Sequence, residues 1–288
     1  MNITRRQFLA GSLATGTALY SSGLLADSGR KLRSMTDRVE IGHTGVKVSY
    51  LGLGTGTKGY DKASNQTRLG PIKFAHMINH AYDQGINYFD VADLYGSHQG
   101  LRAALRRIPR EKYVVETKIW YRTSKDAKAD LDRFLTELGT DYIDILYLHC
   151  ITDQTWATDL KAMEDVLSEA KQKKIIRAHG ISIHSLDVMK AAAANPWVDN
   201  VLTRINPTGV MMDAPAAEVV PALQKLHAAR KGVTGMKILG EGQIVDRREE
   251  SLKFVLGLDC VDAIIIGFEA PAQIDEIIKM GNKALGKV

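Results

Sequence analysis

Apolar positions along this chain follow two rhythms. Short runs of β-branched, aliphatic and aromatic residues, such as Ile143-Asp144-Ile145-Leu146-Tyr147-Leu148 and Ile264-Ile265-Ile266, alternate with longer stretches in which apolar residues return every three or four positions, as at Leu131, Phe134, Leu135 and Leu138. The first rhythm predicts strands and the second amphipathic helices. Strands are expected at 49–53, 87–89, 113–117, 143–148, 175–181, 201–205, 235–239 and 263–266, eight in number. Eight helices are expected among them, seven of these with ranges, at 74–84, 100–108, 128–138, 185–194, 214–230, 247–258 and 270–280. Alternation of this kind implies parallel strands joined by helical crossovers. Residues 35–288 match the roughly 250 residues usual for a (β/α)8 TIM barrel. Before the first barrel strand, 38–48 with Gly42-His43-Thr44-Gly45 at its centre reads as a hairpin closing the barrel floor. No Pro/Ser-rich linker or charge run divides 35–288, so one domain is expected there, preceded by a leader at 1–34.

Three of the strand ends carry chemistry. The run ending at Phe89 leads into Asp90-Val91-Ala92-Asp93-Leu94-Tyr95-Gly96, Thr117 precedes Lys118, and Leu148 precedes His149. In a (β/α)8 barrel the C-terminal strand ends converge on one mouth, which would bring a carboxylate, a phenol, an ammonium and an imidazole together. Singly, each is more often a turn, cap, solvated or core residue; their order at consecutive strand ends is what carries the reading. The combination resembles the active-site set of the aldo-keto reductases, which implies carbonyl reduction by hydride transfer; that builds negative charge on oxygen and needs an acid. A phenol has an unperturbed pKa of roughly 10, and a nearby ammonium lowers it. Tyr95 is then the general acid, Lys118 the ammonium, Asp90 its carboxylate partner, and His149 a donor that orients the carbonyl.

This set resembles the catalytic tetrad of the aldo-keto reductases, and the resemblance covers nearly the whole chain after the leader. It implies a nicotinamide cofactor, NAD or NADP, with contacts at the first strand end (Gly54, Thr55, Gly56) and at Asp90. Gly180-Ile181-Ser182 resembles the family's Gly-Val-Ser-Asn segment, so Ser182 is expected at the nicotinamide carboxamide, while Ile183 stands where the asparagine would be. The segment Gly235 to Gly242 resembles the loop over the cofactor pyrophosphate, implying contacts from Lys237, Leu239 and Gly240; read alone, Gly240 and Gly242 serve a turn equally well. Matched at Pro271, the positions that bind the adenosine 2′-phosphate in many relatives hold Gly267, Phe268 and Gln273 in place of a lysine, a serine and an arginine. Those cations recognise phosphate. Their absence turns the expectation toward NAD, with Gln273 and Glu276 as adenosine contacts.

The N-terminus has another character. Thr4-Arg5-Arg6-Gln7-Phe8-Leu9-Ala10 is a twin-arginine pattern followed by a mildly apolar stretch to Ala26, which implies Tat export to the periplasm and the Tat machinery as a partner. That pathway carries folded proteins and suits an enzyme that acquires a tightly held nucleotide first. The stretch is too polar for a membrane span. The net charge of +5 falls to +3 when a leader ending at Ala26 takes Arg5 and Arg6 away, and the basic residues are dispersed, which gives no ground for nucleic-acid binding. Cys150 and Cys260 read as buried thiols, and no metal ligand set is evident.

The substrate is a small carbonyl or alcohol compound, left open among sugars, aldehydes and steroids. Trp120, Tyr121 and Trp156 fall on loops expected to rim the mouth, where Trp120 and Trp156 would contact substrate or equally pack beneath long loops. Two function classes follow: an exported oxidoreductase, or a nucleotide-binding sensor or regulatory subunit on the same fold with little turnover.

Overall fold

The computed structural model describes residues 32–286; the twin-arginine pattern and the apolar stretch after it lie outside them. Strands β1 (Arg38–Glu40) and β2 (Lys47–Ser49) form an antiparallel hairpin. Eight parallel strands follow: β3 (Leu51–Gly54), β4 (Tyr88–Asp90), β5 (Val114–Ile119), β6 (Ile143–Ile151), β7 (Ile176–Ile183), β8 (Asn200–Arg204), β9 (Gly232–Met236) and β10 (Ala263–Gly267). They close in sequence order, with β10 pairing β3, into a barrel. The helices are α1 (Pro71–Asp83), α2 (His98–Leu105), α3 (Ala127–Leu138), α4 (Trp156–Asp159), α5 (Lys161–Gln172), α6 (Leu186–Ala194), α7 (Ala216–Ala228), α8 (Arg248–Leu256) and α9 (Pro271–Ala284). The (β/α)8 barrel with a floor hairpin is therefore the fold.

Neighbouring residues on one strand serve two different cores, because successive side chains point to opposite faces. Tyr88, Val114, Ile145, Tyr147, Ala178, Leu202, Ala263 and Ile265 fill the barrel interior together with Ile41, Val46 and Val48 of the hairpin. Phe89, Val115, Leu146, Leu148, Ile181, Val201, Val233 and Ile264 belong to the outer layer beneath the helices. This double burial explains why the strands read as near-continuous apolar runs. The hairpin is latched to the floor by polar contacts: Gly42 N–H donates to Asp262 Oδ2 at 3.0 Å, and Arg177 donates to the Gly45 carbonyl at 3.0 Å.

Helix α3 illustrates how local sequence sets an element. Asp126 caps its start by accepting from the N–H groups of Lys128 and Ala129 at 2.9 and 3.0 Å. Leu131, Phe134 and Leu138 bury one face, and Gly139 ends it in the left-handed region at φ 65°.

Two expectations are corrected. The strand expected at 235–239 runs instead over Gly232–Met236, since Lys237 takes φ 58° and turns the chain out of the sheet; Ile238 and Leu239 are apolar because they tuck under the loop. The crossover for which the pattern supplied no helical range is α5, whose buried stripe is sparse: Glu164, Leu167 and Ala170. Among the described residues no helix is long and apolar enough to cross a membrane.

Candidate active site

The parallel register places the chemical side chains at one end of the barrel. Gly54 lies beside Asp90, Asp90 beside Glu116, and Lys118 beside Tyr147, two residues before His149. A cavity of about 1260 Å³ opens there, and Asp90, Tyr95, Lys118 and His149 all line it. Lys118 is fully buried; its Nζ donates to Asp90 Oδ1 and, at 3.0 Å, to the Val91 carbonyl. Burial pushes the Asp90 carboxyl up while the Lys118 ammonium opposes that shift.

Tyr95 ends a single 3-10 turn, Asp93–Tyr95, that Gly96 terminates at φ 66°. Its hydroxyl lies 3.3 Å from His149 Nε2, with the two rings edge to face. Burial, then the charge of Lys118, drives the His149 pKa well below the ordinary histidine value, so the imidazole is neutral. Trp120 also packs edge to face against His149, ring centroids 5.4 Å apart. The expectation that Lys118 lowers the Tyr95 phenol is corrected: burial, followed by the Asp90 and Glu116 carboxylates, raises it well above its usual value. The ammonium lies 5.2 Å from the ring centroid and is already engaged by Asp90. Tyr95 thus keeps its proton, as a donor must.

Room for the phenol comes from two glycines. A Cβ on Gly56 would sit 2.3 Å from the Tyr95 ring, and one on Gly59 would sit 2.4 Å from it. Gly56 was expected at the cofactor; it lines the cavity, and its smoothness serves the phenol. Gly56→Ala is expected to move the ring and lower turnover by up to about 10²-fold with nucleotide binding kept, since displacements near 1 Å have that effect. Steady-state kinetics beside a binding titration decide it, and unchanged turnover would mean that the loop yields instead.

The remaining cavity wall holds Gly54, Ser182, Lys237, Leu239, Gly267, Gln273 and Glu276. Ser182 Oγ accepts the Cys150 N–H at 2.7 Å, which leaves its own hydrogen to donate. Lys237 pairs with Glu241 at 2.6 Å, and Glu241 also accepts the Lys58 N–H at 3.1 Å, joining the loops after β9 and β3. Gln273 Oε1 accepts the Glu269 N–H at 2.8 Å.

Three expected contacts do not reach the cavity. Thr55 is fully buried and its hydroxyl is spent on the Asp90 carbonyl and Ser97 Oγ, both at 2.8 Å. Gly240 backs onto Val210 and Ile244, away from the opening. Trp156 is buried in α4 against Trp197, centroids 5.9 Å apart, so it packs and does not rim the mouth; Tyr121 packs against the core likewise.

The cavity also gathers residues that the sequence reading passed over. Arg248 donates to Glu276 Oε1 at 2.9 and 2.7 Å beside Gln273. Cys150, expected as a core thiol, is only partly buried, takes φ 64° at a register shift in β6 and lies 3.0 Å from His184 Nδ1. Of the two cysteines, Cys260 is the buried one. Only the positive φ and the position after His149 mark Cys150, and φ is not readable in sequence. Among the described residues no group of three or more His, Cys, Asp or Glu is placed to hold a metal ion.

Known proteins resemble this chain over part or most of its length. Over 168 residues the chain is 30% identical to L-galactose dehydrogenase of Arabidopsis thaliana, covering 51% of this chain and 49% of that protein. It is 30% identical over 171 residues to the NADH-specific methylglyoxal reductase of Escherichia coli, covering 50% and 51%. The chain thus spans about half the length of these curated relatives. A solved aldo-keto reductase structure from Pseudomonas aeruginosa superposes with a TM-score of 0.72 at 25% identity, over 88% of this chain and 97% of that one. The model of the aldo/keto reductase family matches residues 51–255, a span that takes in the strand ends bearing Asp90, Lys118 and His149 as well as Tyr95, and the chain belongs to that family.

Proposed function

We propose that this chain is an NAD(P)-dependent oxidoreductase that interconverts a carbonyl and an alcohol, with Tyr95 moving the proton. The observation that carries this reading is the Tyr95 hydroxyl, held 3.3 Å from the Nε2 of neutral His149 beside the buried Lys118–Asp90 pair on one cavity wall. The rest of that wall fits a dinucleotide: Ser182 offers a hydroxyl donor, Lys237 a cation, Gly242 bare backbone facing open space, and Arg248, Gln273 and Glu276 a polar cluster. When bound, nicotinamide supplies or takes the hydride. A carbonyl oxygen placed between Tyr95 and His149 accepts hydrogen bonds from both, and the phenolic proton passes to it as charge develops. The Lys118 ammonium then faces the phenolate left behind, in a buried site where charge–charge attraction is strong.

The relatives named for L-galactose and methylglyoxal point to a small polar carbonyl compound or a sugar. Mass spectrometry of nucleotide released from the purified protein, with methylglyoxal reduction and L-galactose oxidation assays, tests the reading. Absence of both bound nucleotide and turnover sinks it. A sensor without turnover would bind nucleotide and leave both assays blank.

NAD is the expected nucleotide. Arg248 lines the same cavity as Gln273, and Glu276 already occupies it, as Glu241 occupies Lys237, while Glu269 adds a further carboxylate held by Asn65 at 2.7 Å. A 2′-phosphate would face those carboxylates with few free donors, whereas ribose hydroxyls can donate to them. Charge-assisted hydrogen bonds are worth roughly 1.5–3 kcal/mol, so Gln273→Arg should shift preference toward NADP by about tenfold or more. Titrating both nucleotides against stripped protein checks this; a tenfold advantage for NADP in the parent would overturn it.

The twin-arginine pattern supports export as a further part of this proposal. Arg5→Lys with Arg6→Lys should hold the protein in the cytoplasm, and equal periplasmic yield on fractionation would mean that the motif is misread.

A further inference from the structure

The barrel interior beneath the tetrad contains a carboxyl that the proposed chemistry does not use. Glu116 is two residues before Lys118 on β5, on the same face, and is wholly shielded from solvent. Its Oε1 lies 3.9 Å from Lys118 Nζ, its Oε2 accepts the Tyr88 hydroxyl, and its carboxyl is close enough to that of Asp90 for a shared proton between them. Asp90 is its register neighbour on β4. Lys118 is therefore one ammonium facing two carboxyls, and a second layer of polar groups lies below it.

We propose that Glu116 is a positioning residue for the reaction at Tyr95, the second carboxyl of the Lys118 ammonium, through which ionisation inside the barrel sets the charge that the phenol must work against. This rests on the oxidoreductase reading above. Two carboxylates beside a single cation in a dry interior repel each other, so one of them holds its proton. Burial, followed by the Asp90 charge, pushes Glu116 up to about 8. The ionisable groups that face it are Tyr88 and Asp90 from β4, Lys118 from its own strand, Tyr147 from β6 and Tyr95 from the loop after β4. Below about pH 8 Glu116 is neutral and the site carries the Lys118–Asp90 pair alone. Above it, Glu116 adds a negative charge that opposes proton loss from Tyr95. Carbonyl reduction therefore falls as pH rises through that region, since each unit by which the phenol is raised weakens it as an acid and slows proton transfer by up to about tenfold.

The test is a pH profile of reduction for the parent, Glu116→Gln and Tyr88→Phe, beside an infrared titration of carboxyl groups. The parent should lose activity with a limb near pH 8. Glu116→Gln should stay within about threefold of the parent at pH 6.5, lack that limb, and exceed the parent by about tenfold at pH 9.5. Tyr88→Phe deletes the donor that favours the charged form of Glu116, so its limb should move to higher pH by about one unit. In the parent, a protonated-carboxyl signal should be present at pH 7 and vanish through about pH 8. An unchanged limb in either variant, or no protonated carboxyl in the parent at pH 7, overturns the proposal. The infrared titration needs no substrate, and because Glu164 is also raised, to about 7, the Glu116 signal is assigned by its shift to higher pH in Tyr88→Phe, which decides the ionisation even where Glu116→Gln does not fold; a parent that reduces no carbonyl instead overturns the oxidoreductase reading.

Discussion

Replacing Tyr95 with phenylalanine is expected to slow carbonyl reduction by ~10²–10⁴-fold, the usual contribution of a positioned general acid. The substitution keeps the ring that fits against Gly56 and Gly59, and so removes the hydroxyl without disturbing the loop. The phenol is held above its ordinary pKa by burial and then by the Asp90 carboxylate, so the parent keeps its proton for donation throughout the neutral range and the loss should be as large at pH 6 as at pH 7. Nucleotide affinity should stay within about twofold, because the hydroxyl's contact within the site is His149 and no part of the Ser182, Lys237 or Glu276 wall touches it. Single-turnover rates measured beside a nucleotide titration separate the two effects. A variant that keeps its rate would transfer the acid's role elsewhere and remove the basis of the proposed chemistry.

Lys118→Met should have the largest effect on stability. The ammonium is buried and is the cation between Asp90 and Glu116. Removing one partner of a buried ion pair commonly destabilises by about 3–5 kcal/mol, because the charge left behind has lost its compensation. The pH dependence identifies the cause. In the variant both carboxyls have folded-state pKa values raised above those of the unfolded chain. Protonated carboxyls need no cation, so stability is retained at low pH and lost as pH rises through the folded-state values. Urea denaturation at pH 5 and pH 8 should therefore show a gap between variant and parent that widens with pH. A gap that is the same at both pH values would point to lost packing of the lysine stem rather than an unpaired charge.

Much of the fold is legible because it is local. The alternation of apolar runs with three-to-four-residue spacing sets strand after helix, and double burial of parallel strands makes the runs stand out from the helices. Where that signal is weak, the reading slips. Helix α5 buries only Glu164, Leu167 and Ala170, and Ile238-Leu239 looks like strand continuation although Lys237 has already turned the chain.

The same distinction divides the site. Asp90, Tyr95, Lys118 and His149 could be chosen from sequence because strand ends in a barrel share one mouth, whatever the separation between them along the chain. Glu116 was within reach by the same logic, since two residues along a strand is the same face as Lys118. Its consequence was not, because desolvation is a sum over everything packed around the carboxyl. Loops obey no such period. Trp156 and Trp120 look alike as aromatics after strands, yet one is sealed against Trp197 and the other stands against His149. Gly59 matters only because the Tyr95 ring crosses it, and Arg248 only because α8 and α9 bring it to Glu276. Sequence by itself determined the barrel, the three strand-end groups and the phenol just beyond the first of them, since these follow from short-range periodicity and topology. Tertiary structure alone decided which loop side chains reach the cavity and which buried groups hold a proton, since both depend on non-local packing and on how far water is excluded.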